Sequence, residues 1–162
     1  MLLKLALIVL LLFPTHWGHA RSRGERVRIG AWTMRVDSDR FRDQVRCQLF
    51  ERNVSYQRRA LVFHLPRRTD TADAVYRIDG GPPMWARSDA MELADLGFTL
   101  HSDDLANPSG GLVRIPQPRI AGAHAVSIEP RSDVAPLRFN IDGFAAALDA
   151  ARKAGCGADA FY

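Results

Sequence analysis

Two cysteines, Cys47 and Cys156, enclose 108 of the chain's 162 residues. Nothing else in the sequence restricts the fold as much, because a bond between them ties the last helix or strand to an early one. The N-terminus sets the chemistry available to them. Lys4 gives a short positive start, Leu5 to Phe13 is an unbroken apolar run, Pro14 interrupts it, and Gly18-His19-Ala20 places small residues before a cleavage point. That is the pattern of a secretory signal peptide cut after Ala20. The apolar run falls well short of the roughly 20 residues a membrane-spanning helix needs. No later stretch is long or apolar enough to span a bilayer, and no Cys follows the run as a lipid-attachment site. The expected organisation is a signal peptide over 1–20 and one periplasmic domain over 21–162.

In an exported chain two cysteines are expected to pair. In the chain-entropy model a loop of about 100 residues restricts the unfolded state by about 4.7 kcal/mol. That is a large share of the roughly 5–15 kcal/mol by which domains are stable. The alternative is a pair of buried free thiols. The spacing excludes a Cys-x-x-Cys redox site.

Composition narrows the class further. Hydrophobic residues make up 47% and charged residues 25%, with 12 Gly and 9 Pro. These values exclude a disordered tail, a collagen-like rod and a Cys-dense scaffold. Period-two alternation then recurs along the chain. Val27 to Val36 reads as a strand with a bulge at Gly30, followed by Val45-Cys47-Leu49, Leu61-Phe63-Leu65 and Ala74-Tyr76-Ile78. Val113-Ile115, Val126-Ile128 and Leu137-Phe139-Ile141 continue the series, separated by Gly80-Gly81-Pro82-Pro83, Gly110-Gly111, Pro116 and Pro130. The predicted fold is mainly β: an antiparallel sandwich or a partly open barrel.

One helix is well specified near the C-terminus. Asp142 is placed to cap it and Gly143 to open it. Phe144, Ala147, Leu148 and Ala151 then form one apolar face. Arg152 and Lys153 fall in the last turn, where the helix dipole favours cations, and Gly155 supplies a left-handed stop. Cys156 follows at once, so a disulfide would staple this helix end to the strand of Cys47. A second helix is predicted over 88–96, with Met91 and Leu93 to Leu96 partly buried.

Charge is uneven. Residues 21–68 hold 13 Arg against five acids, and residues 69–162 hold eight basic residues against 13 acids. The halves can complement each other across the fold, which is the favoured expectation, or leave a basic face for an anionic polymer of the envelope. Arg58-Arg59 and Arg67-Arg68 bracket the Leu61 strand and suit phosphate or carboxylate, or serve as solvated ends that guard a sheet edge. No nucleic-acid motif is present.

Catalytic and metal signatures are missing. His101 with Asp103 and Asp104 comes nearest to a metal site and reads better as a solvated turn. The Gly pairs lie between strands and open no helix, so they cradle no phosphate. Scattered Ser, His and Asp residues carry no nucleophile elbow. The expected protein is therefore no enzyme and needs no cofactor. Trp85, beside Pro82, Pro83 and Arg87, is either an exposed aromatic anchor for a partner or a core residue closing one end of the fold.

One order of residues stands out: Trp32, then Cys47-Gln48-Leu49, Tyr56, Ala60-Leu61-Val62-Phe63, Pro82-Pro83-Met84-Trp85, and a late helix ending near Cys156. It resembles the N-terminal domain of the flagellar MotY protein over nearly all of the mature chain. The resemblance implies a β-rich module with its two cysteines linked, docking onto the flagellar basal body and serving motility. That family continues into a peptidoglycan-gripping domain, whereas this sequence ends six residues past Cys156. The implied role is thus a docking module without the wall anchor. A second segment, Phe139-Asn140-Ile141-Asp142-Gly143-Phe144, is similar to the closing motif of invasion-associated locus B-type periplasmic proteins, although their usual extra cysteines are missing here. An exported inhibitor of a lysozyme or protease is a third class that needs a small stapled β-domain.

Overall fold

A computed structural model describes residues 24–39, 41, 44–66, 69–98, 111–131 and 133–162. Among these residues ten strands form two antiparallel sheets. The larger holds β1 (Glu25–Ile29), β2 (Trp32–Asp39), β3 (Gln44–Glu51), β4 (Val54–Gln57), β5 (Ala60–His64) and β8 (Leu112–Pro116), in that spatial order. The smaller runs β10 (Leu137–Asn140), β9 (Ala125–Glu129), β6 (Val75–Ile78) and β7 (Met84–Trp85). Neither sheet closes on itself, as expected for a sandwich or an open barrel.

Short turns set the register of the larger sheet. Gly30 does not bulge a continuous strand. At φ 59° it opens a two-residue turn with Ala31, so Ile29 pairs with Trp32 and β1 folds back on β2. Arg58 and Arg59 make the same kind of turn between β4 and β5, with Gln57 opposite Ala60. Both arginines have positive φ, 43° and 64°. Side chains other than Gly, Asn and Asp seldom adopt that conformation, so packing around the turn must hold it. Two backbone hydrogen bonds do so: Arg58 N–H donates to Phe161 O, and Gln117 N–H donates to Arg59 O at 2.9 Å.

Register places Met34, Cys47, Leu49, Val54, Tyr56, Leu61, Phe63, Val113 and Ile115 on the inner face, where all are buried. Tyr76, Val126 and Ile128 of the smaller sheet join the same core. Val62 faces the other way and is buried too. The outer face is covered there: Phe98 lies beneath the guanidiniums of Arg58 and Arg114, the latter directly across from Val62. Simple alternation therefore fails on β5 because both of its faces are packed.

The C-terminal helix α2 (Phe144–Lys153) buries the expected face of Phe144, Ala147, Leu148 and Ala151. Its start differs from expectation. Gly143, at φ 76°, is the capping residue, and Asp142 makes no capping bond. The Asp142 carboxylate instead receives His124 Nδ1 at 2.6 Å, and its backbone carbonyl accepts Trp32 Nε1–H at 3.0 Å. The far end is a Schellman stop, with Gly155 N–H donating to Arg152 O and Cys156 N–H to Ala151 O. Cys156 then bonds Cys47 of β3. The earlier helix, α1 (Ala90–Asp95), begins after a 3-10 turn over Ala86–Asp89 and buries Leu93, while Met91 is 84% exposed. Met91 was expected to be partly buried, but α1 spans only six residues and turns that position to water.

Candidate functional site

The edge strand β7 is two residues long and, among the described residues, pairs only with β6, Trp85 standing opposite Val75. It follows Gly80-Gly81-Pro82-Pro83, and proline offers no N–H to a ladder. The backbone of Trp85 is held: its carbonyl accepts the Ser88 hydroxyl at 2.6 Å, and the next residue, Ala86, donates its N–H to Ala74 O at 2.9 Å. The indole is not held in the core. Trp85 is 46% exposed, with the Arg87 guanidinium 4.6 Å from its ring centroid. Arg87 also reaches Asp73 at 3.4 Å. Pro82 and Pro83 are exposed beside it. This edge thus presents a stacked indole and guanidinium on a fixed backbone, the side-chain types most often found at the centre of protein interfaces.

The arginine pairs separate. Arg67 and Arg68 lie outside the described residues, as do His101, Asp103 and Asp104. Arg58 is engaged: its Nη1–H donates to Gly97 O and its guanidinium covers Phe98. Arg59 instead lines a cleft of about 100 Å³ beside the disulfide, as does Arg152 of α2. There the Tyr56 hydroxyl donates to Gln117 Oε1 at 2.6 Å. Burial pushes the Tyr56 phenol up in pKa, against the opposing fields of Arg152 and Arg59. Leu148 and Phe161 supply apolar wall. Gln117 and Arg152 were not singled out as site residues from sequence. They meet only because β8 and the end of α2 converge on the β4–β5 turn, a juxtaposition no local pattern encodes.

Two further polar clusters lie away from these edges. Asp89, fully buried, accepts the Tyr76 hydroxyl at 2.8 Å and meets Arg119 Nε at 2.6 Å. Burial raises the Asp89 carboxyl, opposed by the Tyr76 hydrogen bond and the Arg119 charge. Tyr76 is raised as well, by burial and then by its bond to Asp89. This network ties β6 to the 3-10 turns over Ala86–Asp89 and Gln117–Ile120. On the outer face, Ser55 Oγ and His64 Nε2 lie 3.1 Å apart. The charged neighbour of His64 is Arg114, and burial together with that guanidinium lowers the imidazole pKa. A positive neighbour opposes the imidazolium that a serine triad forms, so the pair is poorly set for acyl transfer. Among the described residues no three or more His, Cys, Asp or Glu converge as metal ligands, and no helix is long and apolar enough to cross a membrane.

No protein-family model, curated protein or solved structure matches the chain.

Proposed function

We propose that this chain is exported to the periplasm and works there as a non-catalytic protein-binding module, comparable to the basal-body-docking domain of the flagellar MotY protein. The observation that carries the proposal is the exposed Trp85–Arg87 stack on a two-residue edge strand beside Pro82 and Pro83. A large aromatic left open to water on a rigid backbone costs solubility and adds little to the core, which is what an anchor for a partner requires. The Cys47–Cys156 bond supports an oxidising compartment.

The test is genetic and structural together. Deleting the gene should reduce swimming, and Trp85→Ala should fail to restore it while keeping wild-type circular dichroism and envelope levels. Full restoration by Trp85→Ala would remove this edge from the function. Stoichiometric inhibition of a purified lysozyme or protease, with swimming untouched by the deletion, would move the protein to the inhibitor class.

A further inference from the structure

From the cleft beside the disulfide we infer a binding site for a free carboxylate carried on a small apolar stem, of the kind found at the end of a peptide. The site is independent of the Trp85 edge. Its two cations are Arg59, on the β4–β5 turn, and Arg152, in the last turn of α2. Neither forms an ion pair among the described residues. Both act on the same buried phenol, that of Tyr56, so their positive fields overlap inside the cleft. Two arginines lining one small concavity repel each other when it holds only water and attract an anion to it.

The position of Arg59 is not incidental. Its backbone is kept at φ 64° by hydrogen bonds from neighbouring segments, in a conformation arginine seldom adopts. Gln117 adds a neutral donor. Its Oε1 is occupied by the Tyr56 hydroxyl, which assigns the Nε2 amide as the free end.

The remaining wall selects between anions. Leu148 and Phe161 are apolar, and the volume of about 100 Å³ admits a carboxylate with a methyl-sized stem. A carboxylate has oxygens on one side only and turns its stem toward Leu148 and Phe161. A phosphate or sulfate carries oxygens all round and leaves some of them desolvated against that wall without donors. Capture of a chain-terminal carboxylate by converging donors is a recurring mode of peptide recognition.

The experiment titrates the oxidised protein with N-acetylalanine, following backbone and Gln side-chain amides by NMR, with N-acetylalaninamide and inorganic phosphate as parallel probes. Saturable shifts at Arg59, Gln117 and Arg152 with N-acetylalanine, at least tenfold weaker with either other probe, are expected. Arg152→Gln, on an exposed helix end, should weaken binding roughly tenfold, in line with loss of one charged hydrogen bond. Arg59→Lys, which keeps the charge and loses the forked donor, should weaken it by less than Arg59→Gln. No saturable response to N-acetylalanine overturns the site. Equal binding of the amide overturns the carboxylate, and equal binding of phosphate overturns the selectivity drawn from the wall. If Arg59→Gln fails to fold, Arg152→Gln decides alone.

Discussion

On the smaller sheet and the segments that follow β5, cations meet carboxylates close by: Arg87 faces Asp73, Arg119 faces Asp89 and Glu92, Arg131 faces Asp133, and Lys153 faces Asp149 one helical turn away. On the outer face of the larger sheet the pattern is different. Register sets Arg26, Arg28, Arg35 and Arg46 on one side, with Arg26 directly across from Arg35. Arg35 pairs with Asp37 on its own strand, Arg28 turns to the Gly30 carbonyl, and Arg46 lies over the Tyr162 ring. Among the described residues, none of these ion pairs joins the two halves of the chain. Of these pairs, only Arg119–Asp89 engages a buried carboxylate; the other second-half pairs stand on the surface, as the arginines of the larger sheet do.

Four interventions probe that division. The largest effect lies where the halves are joined covalently. Replacing Cys47 and Cys156 together with Ala should cost about 4 kcal/mol in urea denaturation. A loss under 1 kcal/mol would mean that the sheets and α2 hold together without the bond. Next is Arg119→Met, which strands the fully buried Asp89 carboxylate. Because Arg119 is itself partly open to water, a loss of about 2–3 kcal/mol is expected. Arg26→Thr is the counterpart on the larger sheet. It removes a like charge from the cross-strand pair with Arg35 and should leave stability unchanged or raise it by about 0.3 kcal/mol. A large loss there would erase the distinction between the two kinds of arginine.

The smallest effect is read by NMR titration of two histidines. Burial and Arg114 lower His64 below 6.5, whereas the hydrogen bond and charge of Asp142 raise His124 above 6.5. The linkage signs are opposite. The contribution of His64 is lost as pH falls through the window below 6.5, because the unfolded chain takes up that proton first. The contribution of His124 is full below 6.5 and is lost as pH rises through its folded value. Asp142→Asn should return His124 toward 6.5 and leave His64 alone. Coincident titration of both imidazoles would contradict these environments.

Much of this was legible beforehand, and the gaps have physical causes. Alternation located the core positions of β3, β8 and β9, and the i, i+3, i+4, i+7 spacing located the buried face of α2. The export pattern led to the pairing of Cys47 with Cys156. β4 was not legible, because its flanking turns, Arg52-Asn53 and Arg58-Arg59, lack the Asn-Gly or Asp-Gly chemistry that usually marks a two-residue hairpin. β7 was hidden by its length. For the candidate sites, Trp85 was visible as an aromatic among prolines, but its exposure rests on β7 being an edge. Arg59 was visible as half of a pair, but its separation from Arg58 depends on opposite sides of one turn. Tyr76–Asp89–Arg119 was not legible at all, since its members come from three separate elements.

The contrast between Trp32 and Trp85 has a practical consequence. One indole is sealed beside Phe144 with its N–H committed to a carbonyl, and the other faces solvent. The shielded ring should emit at shorter wavelengths and the open one at longer wavelengths, with only the latter readily quenched by iodide. In the chain without residues 1–20, and so without Trp17, a single fluorescence spectrum thus carries two channels, one reporting on the integrity of the interior and one on what touches the edge.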